Sequence, residues 1–249
     1  MRLALISDIH SNLEALKAVI ADIDTRKVNH IICAGDLVGY APFPNEVIDL
    51  IQKREIPTVL GNYDDSIGFN RMVCGCDYKN EAAQRLGEQS IAWTKTNTRE
   101  ESKELLRNLP KELRIEFGGH RILIVHGSPR QLNEYLYQHL EEKYLLEVME
   151  ENNTDILICG HTHLPFHRQL KIHTTSATDK VKTKHVINVG SIGKPKHGNP
   201  NAIYTIVNIG ERVAVEYIEV PYDYEKTAQA IESSELPNEF AELLRNGTG

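Results

Sequence analysis

The stretch from Ile31 to Tyr40 reads IICAGDLVGY, an apolar run that leads into an acid flanked by glycines. A short continuous apolar run closed by turn residues is typical of a fully buried strand. Asp36 would then lie at the carboxyl end of that strand, where open α/β sheets bind their ligands. No residue of this stretch can pair with the acid. We therefore expect Asp36 to bind metal, together with residues brought from elsewhere in the chain.

The sequence on either side of this strand alternates between strands and helices. Residues 2–7 and 57–60 are predicted strands, and amphipathic helices follow the first two strands. This repetition predicts a parallel sheet with right-handed crossovers. From Pro165 onward the pattern changes to antiparallel strands, and two short helices close the chain. We expect a single domain over 1–249, in which 222–249 form a short C-terminal helical extension.

Two further tracts carry hairpin signals, at residues 113–125 around a Gly-Gly turn and at residues 202–220 around Gly210. Residues 66–78 show no clear period and are predicted to be irregular. The polar tract from Lys171 to Lys184 is predicted to be a variable loop or a hairpin tip.

Composition limits the range of partners. The chain has 249 residues, of which 41% are hydrophobic and 25% charged, and its formal net charge is −7. An acidic balance argues against duplex nucleic acid or an anionic membrane surface, since both attract excess Lys and Arg. The apolar run at the N-terminus is too short for a signal peptide or a membrane span. We expect a cytoplasmic protein without a membrane partner.

The chain contains four cysteines. Cys33 and Cys159 lie in strand-like apolar runs and are expected to be small buried hydrophobes. Cys74 and Cys76 flank one glycine, a spacing that argues against a relaxed disulfide, and two cysteines alone do not complete a zinc site. A structural or substrate-loop role is favoured for this pair over a redox role.

Metal-competent side chains follow five predicted strand ends, in the order Asp8 and His10, Asp36, Asn62, His126, and His161 with His163. This set of oxygen and nitrogen donors suits Mn²⁺, Fe²⁺, Zn²⁺ or Ni²⁺ better than Ca²⁺. Seven ligands suit two ions that share a carboxylate, and we expect Asp36 to be that bridge. Two ions about 3.5–4 Å apart can hold both oxygens of an in-line phosphoryl displacement and activate a shared water.

The spacing within the paired motifs has a geometric meaning. Alternate residues of an extended strand end point to the same side, so Asp8 and His10 are expected to reach one ion. The same geometry would direct His161 and His163 toward two neighbouring ions. Each motif alone is weak evidence, whereas their joint order predicts a dinuclear site.

At these residues the chain resembles the calcineurin-like metallophosphoesterase superfamily, from Met1 to about Val220. The form of residues 35–40 is similar to its small prokaryotic phosphodiesterase branch. The resemblance implies a four-layer α/β/β/α sandwich of two mixed sheets flanked by helices. It also implies how the ligands divide: one ion would take Asp8, His10, Asp36 and His163, and the other Asp36, Asn62, His126 and His161.

The chain departs from the family at Tyr63, where the usual motif has a histidine that helps to protonate the leaving group. A tyrosine with a pKa of about 10 is a poor proton donor at neutral pH, although it can donate a hydrogen bond to an oxyanion. We therefore expect phosphodiesters or nucleotide pyrophosphates to be preferred over alkyl monoesters. An equally open alternative is that Tyr63 lines the wall of the site and takes no part in proton transfer. Asp64 is the third candidate catalytic residue beside Asp36 and Tyr63, and its alternative role is to cap its own turn.

Candidate substrate contacts lie at the expected rim of the site, namely Asn12, Tyr40, Lys194 and His197. Lys194 and Lys196 could meet phosphate as point charges, and His197 could donate a proton. The alternative for this loop is an exposed basic turn.

The predicted function is a metal-dependent phosphoric ester hydrolase that acts on small phosphoester or nucleotide substrates, by in-line attack of a metal-bridging hydroxide. One alternative is a catalytically weak family member that serves as a binding or scaffold module, which the full set of metal-site histidines disfavours. The other is a nuclease on short oligonucleotides, since the net charge argues against duplex substrates. Whether the chain forms a homo-oligomer stays open.

Overall fold

The computed structural model describes residues 1–78, 80–172 and 182–249. The strands of these residues are β1 (Arg2–Ile6), β2 (His30–Cys33), β3 (Glu112–Phe117), β4 (His120–Val125), β5 (Ile156–Cys159), β6 (Phe166–Ile172), β7 (Lys182–Asn188), β8 (Ala202–Ile209) and β9 (Val213–Val220). The helices are α1 (Leu13–Asp24), α2 (Pro44–Lys53), α3 (Asn62–Gly68), α4 (Glu81–Asn97), α5 (Glu100–Arg107), α6 (Glu142–Glu151), α7 (Tyr224–Glu232) and α8 (Glu239–Asn246).

The strands form two mixed sheets. The first has the order β2-β1-β8-β9, in which β1 and β2 are parallel and the β8–β9 hairpin is antiparallel. The second has the order β3-β4-β5-β7-β6, with a parallel centre of β4, β5 and β7 and antiparallel strands at both edges. Both expected hairpins are confirmed, whereas the parallel sheet predicted from the N-terminal half is joined by antiparallel strands.

Side-chain alternation along each strand explains why the two sheets stack. In β1, Leu3 and Leu5 face the second sheet, while Ala4 and Ile6 face the helices α1 and α2. In the second sheet, residues such as Ile124 enter the core between the sheets, and their neighbours pack on α6. Because successive side chains point to opposite faces of a strand, a continuous apolar run is buried on both sides. The result is the expected four-layer α/β/β/α sandwich.

Two local predictions are wrong. Residues 57–60 are not a strand: they make one parallel bridge, in which Cys33 N–H donates to the Pro57 carbonyl over 2.9 Å. Residues 62–68 are helical rather than partly irregular, so Asn62 is the first residue of α3 and not a strand end. One stretch of backbone bonds is too little to make a strand, although it still brings the 57–61 segment beside β2.

The tract from Lys171 to Lys184 supplies the end of β6 and the start of β7. Its residues 173–181, the tip of the predicted loop or hairpin, lie outside the described residues. The C-terminal helices α7 and α8 pack on each other around Phe240, whose ring meets Tyr40 edge-on at 5.2 Å. None of the described helices has the length and apolarity needed to cross a membrane.

Candidate metal centre

The predicted ligands meet where the carboxyl ends of strands from both sheets come together. Asp8 and His10 follow β1, Asp36 follows β2, His126 follows β4, and His161 and His163 follow β5, while Asn62 begins α3. All seven residues are buried. The sheets are joined at this point because His161 N–H donates to Asp8 Oδ2 over 3.0 Å.

One group of donors consists of Asp8, His10 and His163. His163 Nε2 lies 3.2 Å from His10 Nε2 and 3.2 Å from Asp8 Oδ1. His10 Nε2 lies 3.8 Å from Asp8 Oδ1. These atoms surround one small volume, and they are three of the four ligands that the family resemblance assigns to one ion.

The other group consists of Asp36, His126 and His161. His126 Nε2 lies 3.3 Å from Asp36 Oδ2 and 2.9 Å from Asn62 Oδ1. The Asn62 amide donates to the Cys74 carbonyl over 3.1 Å, which directs its oxygen into the site. Asn62 therefore joins this group as the resemblance implies.

Asp36 lies between the two groups. The same oxygen, Oδ2, is 3.3 Å from His126 Nε2 in one group and 3.7 Å from His10 Nε2 in the other. The second oxygen, Oδ1, accepts a hydrogen bond from Tyr63 N–H over 2.9 Å. This arrangement suits a carboxylate that bridges two cations.

Hydrogen bonds to backbone carbonyls fix which histidine nitrogens face the centre. The Nδ1 atoms of His10, His126 and His163 contact the carbonyls of Val38, Ala34 and Lys194 at 3.1, 2.8 and 2.6 Å. Since a carbonyl only accepts, each Nδ1 carries the proton and each Nε2 presents a lone pair when the ring is neutral. His161 is reversed: its Nε2 contacts the Asn133 carbonyl at 3.1 Å, which leaves Nδ1 for the centre.

Lone pairs therefore converge without a proton between them. Burial lowers the pKa of both His10 and His163, so both rings are neutral and their Nε2 lone pairs face each other at 3.2 Å. The Asp8 Oδ1 atom is buried and has no hydrogen-bond donor among the described residues. Such a contact is unfavourable unless a cation lies between the atoms. The donor set thus fits a divalent ion.

In the second group the Asp36 carboxylate, and not burial alone, determines the histidine pKa values. Burial opposes the charged form of His126, but the Asp36 carboxylate outweighs it and raises the pKa of His126 to about 9. A proton on Nε2 would then bond to Asn62 Oδ1 in the absence of an ion. Burial, with the adjacent His126 charge, lowers the pKa of His161 to about 4. A bound cation would take the place of the His126 proton.

The ligand loops are built from left-handed backbone. Five of the seven predicted ligands have positive φ, namely Asp8 (52°), His10 (47°), Asp36 (57°), His161 (65°) and His163 (63°). The extended geometry expected for Asp8-x-His10 and His161-x-His163 is therefore wrong. Side chains in these motifs converge because the chain turns sharply after each strand, and such strained residues concentrate at functional sites.

Asp64 lies behind the ligands and holds two loops together. Its Oδ2 accepts from the N–H groups of Asp36 (2.9 Å) and Gly61 (3.1 Å), and its Oδ1 accepts from Leu37 N–H (2.9 Å). These bonds fix the backbone that carries Asp36 and precedes Asn62. Asp64 does not line the large cavity over the donor groups, and its catalytic role stays a prediction.

Tyr63 is packed against the first donor group. Its ring lies 4.7 Å from that of Tyr40 and meets the His10 ring edge-on at 5.4 Å. Its hydroxyl is buried beside those of Tyr40 and Tyr78. Burial raises the pKa of Tyr63 well above its ordinary value, so this hydroxyl stays protonated.

A cavity of about 600 Å³ opens over the donor groups and is lined by several of the predicted residues. Among these, Tyr40 and Lys194 are close, with the Lys194 ammonium 4.2 Å from the centroid of the Tyr40 ring. Burial lowers the pKa of Lys194 well below its usual value. Lys196 also lines this cavity, whereas His197 does not.

Asn12 is placed as a structural residue. Its Oδ1 caps α1 through Ala15 N–H at 3.2 Å and accepts from Thr227, and its amide donates to the Gly193 carbonyl at 3.1 Å and to Tyr222. With these bonds made, Asn12 does not line the large cavity. Asn12 lines a small neighbouring cavity together with His10, Tyr40 and Lys194, and its expected substrate contact, like that of His197, stays a prediction.

Cys74 and Cys76 are joined as a disulfide across a single glycine. Their Cα atoms are 5.5 Å apart, within the usual range for a disulfide. Cys76 lines the cavity, and its sulfur lies 3.2 Å from the Asn62 amide nitrogen. The loop that carries the two cysteines therefore contacts Asn62, a predicted metal ligand.

Sequence reasoning missed the aromatic wall of the cavity, formed by Tyr78, Tyr135 and Tyr137. The sequence signal for two of these residues is the alternation of Tyr135, Tyr137 and His139 with Leu136 and Gln138.

Comparison with known proteins identifies similar chains. The family model of the calcineurin-like phosphoesterase superfamily domain matches residues 1–212. An uncharacterised protein of Methanocaldococcus jannaschii is 33% identical over 246 residues, which cover 97% of this chain and 96% of that protein. The crystal structure of a metallophosphoesterase from Sphaerobacter thermophilus is 28% identical, with a TM-score of 0.75 and 99% of each chain covered. A hypothetical protein from Pyrococcus horikoshii shares the fold, with a TM-score of 0.78, 23% identity, and 99% and 98% of the two chains covered.

Proposed function

The chain belongs to the calcineurin-like phosphoesterase superfamily, and we propose that it is a dinuclear metal-dependent phosphoesterase of phosphodiesters or nucleotide pyrophosphates. The observation that carries this proposal is the position of Asp36 Oδ2, at 3.3 and 3.7 Å from nitrogens of two separate donor groups. Asp8, His10 and His163 would hold one ion and Asn62, His126 and His161 the other, with Asp36 shared. When bound, the two ions would supply an activated water and bind phosphoryl oxygens. Their identity stays among Mn²⁺, Fe²⁺, Zn²⁺ and Ni²⁺.

The chain's own residues would orient the substrate and hold its charge. Lys194 lies on the cavity wall, and an anionic phosphoryl group beside it would favour the charged form of its amine, which burial alone disfavours. Its backbone carbonyl meanwhile fixes the His163 ring. Electrostatic positioning of this kind contributes most of the catalysis in phosphoryl transfer.

The preference for diesters rests on Tyr63. Its hydroxyl can donate a hydrogen bond into the cavity, but its raised pKa makes it a poor proton donor to a leaving alkoxide. Alkyl monoesters depend most on that proton. Aryl diesters and phosphoanhydrides have leaving groups that depart more easily without it.

The test compares turnover of an aryl phosphodiester and an alkyl phosphomonoester after loading with Mn²⁺. We expect the diester to be preferred and Asp36→Asn to lose bound metal and activity together. Asp49→Asn is the matched control, since Asp49 lies on α2 in an exposed ion pair with Arg99. Full turnover by Asp36→Asn at full metal content would contradict the bridging role. A profile that favours alkyl monoesters would contradict the argument from Tyr63.

A further inference from the structure

A row of stacked rings lies beside the cavity, and two of them, Tyr135 and Tyr137, line it. The rings of Tyr135 and Tyr137 are nearly parallel, with centroids 5.6 Å apart and an interplanar angle of 7°. Those of Tyr137 and His139 lie 5.3 Å apart at 14°. At the inner end, the Tyr135 ring lies 4.0 Å from that of His161. The row therefore runs outward from a predicted metal ligand toward solvent, and we call Tyr135, Tyr137 and His139 the aromatic row.

The two tyrosines are directed to the cavity and not into a core. Leu136, between them, is 1% exposed and packs in the cluster under α6. Tyr135 and Tyr137 line the cavity and belong to no apolar cluster of the described residues. Because Leu136 is buried, its neighbours Tyr135 and Tyr137 face the cavity.

The loop that carries the aromatic row is fixed to the metal site. The Asn133 carbonyl contacts His161 Nε2, and the Asn133 amide donates to the Gly75 carbonyl over 2.6 Å. Glu134 accepts hydrogen bonds from Ser128 and Tyr144. These contacts hold the rings before a ligand arrives, which reduces the entropy lost on binding.

The cavity pairs this aromatic wall with two lysines. Lys194 and Lys196 also line it, and its volume of about 600 Å³ is in the range of small-molecule sites. A ligand that meets both chemistries has a flat aromatic part and an anionic phosphoryl part. Nucleotides combine the two, and base stacking on tyrosine accepts any base because every base has a π-face.

We propose that the aromatic row binds the base of a nucleotide-containing phosphoester whose phosphoryl group lies at the metal centre. This proposal rests on the proposed phosphoesterase function and names its substrate class. Tyr137 is the residue to test, because Tyr135 touches His161 and its loss would disturb a metal ligand.

The experiment compares two substrates with one leaving group, thymidine 5′-(p-nitrophenyl phosphate) and methyl p-nitrophenyl phosphate. For Tyr137→Leu we expect the ratio of kcat/KM, nucleotide over methyl substrate, to fall about ten-fold, mainly through KM. Tyr137→Phe keeps the ring and should retain the ratio. Tyr217→Leu, which removes an exposed tyrosine of β9, is the control. An unchanged ratio in Tyr137→Leu would overturn the proposal, as would an equal loss on both substrates.

Direct binding separates this proposal from the function on which it rests. Titration of the Mn²⁺-loaded protein with thymidine 5′-monophosphate is followed by calorimetry, in wild type and in Tyr137→Leu. Binding that weakens about ten-fold in the variant supports the aromatic row even if neither ester is hydrolysed, an outcome that would contradict only the proposed activity. Absence of binding to the wild type, or equal affinity in the two proteins, overturns the aromatic row.

Discussion

Replacing Asp64 by Asn tests how the two ligand loops are held together. The Asp64 carboxylate accepts from the N–H groups of Asp36, Gly61 and Leu37 at 2.9, 3.1 and 2.9 Å, and from Val38 N–H at 3.4 Å. An asparagine keeps one carbonyl oxygen and presents an NH₂ group in place of the other. Whichever way it turns, two backbone N–H groups that now share an oxygen lose their acceptor.

The expected cost follows from these bonds. A hydrogen bond to a charged group contributes about 1.5–3 kcal/mol, so the loss of two predicts about 3–6 kcal/mol. Burial acts in the opposite direction together with the nearby Asp36 carboxylate, because the two raise the pKa of Asp64 to about 7. Because asparagine is neutral, the substitution also removes the repulsion between the Asp64 and Asp36 carboxylates. We expect the free energy of unfolding to fall by about 3 kcal/mol, the lower end of that range.

The measurement is urea unfolding of the metal-free protein in the presence of a chelator. Asp65→Asn is the matched control, one residue along α3, where Asp65 pairs with the exposed Arg71 and should contribute less than about 1 kcal/mol. A loss in Asp64→Asn no larger than in the control would mean that the folded protein holds Asp64 protonated. That result would refute the view that the carboxylate fastens the loops by accepting these bonds.

Two other changes test the close approach at the centre and the packing of the second sheet. A Cβ at Gly61 would lie 2.1 Å from Asp36 Oδ1, so Gly61→Ala should displace that carboxylate and weaken Mn²⁺ binding about 10- to 100-fold in calorimetry. Unchanged affinity would show that Asp36 can move without loss. Asp155 is buried and accepts from Arg121 Nε at 2.8 Å and Lys182 Nζ at 2.7 Å, and the Arg121 bonds hold its pKa below the ordinary range. Asp155→Asn should therefore lower the free energy of unfolding by about 3 kcal/mol at pH 7. Since the folded pKa is depressed, this stabilisation is present above the unfolded pKa of about 4 and fades as the pH falls below it, so the stabilities of variant and wild type should converge in acid. A gap that persists there would contradict the ion-pair origin.

The layers were predictable because burial on both faces leaves a direct trace in the sequence. A run such as residues 122–125 has no polar position, and the structure divides its side chains between two cores. Two sheets rather than one were not derivable from that run. The choice depends on which strands pair, and β8 pairs with β1 across a separation of about 200 residues.

The identity of the donor residues was more predictable than their geometry. Asp8 and His10 were expected to meet because an extended strand directs alternate residues to one side, and they meet through left-handed backbone instead. Sequence alternation carries no information about φ. The aromatic row was not predicted for a related reason. The alternation of Tyr135 and Tyr137 does not say which side of their loop faces the cavity, and the burial of Leu136 decides it.

The strained backbone and the convergent lone pairs both lower the stability of the metal-free fold at the same site. Left-handed backbone costs about 1–2 kcal/mol for an ordinary residue and less for Asp and His, the residue types that occupy these positions. Asp8 Oδ1 and the facing Nε2 atoms of His10 and His163 are buried atoms whose lone pairs receive no proton from a protein group among the described residues. Both terms destabilise the metal-free fold, and a cation between the donors would offset the second directly. The hydrophobic layers must therefore stabilise the fold against both costs, and a bound cation would remove the second. Metal binding should then raise the stability of the whole fold and not of the loops alone.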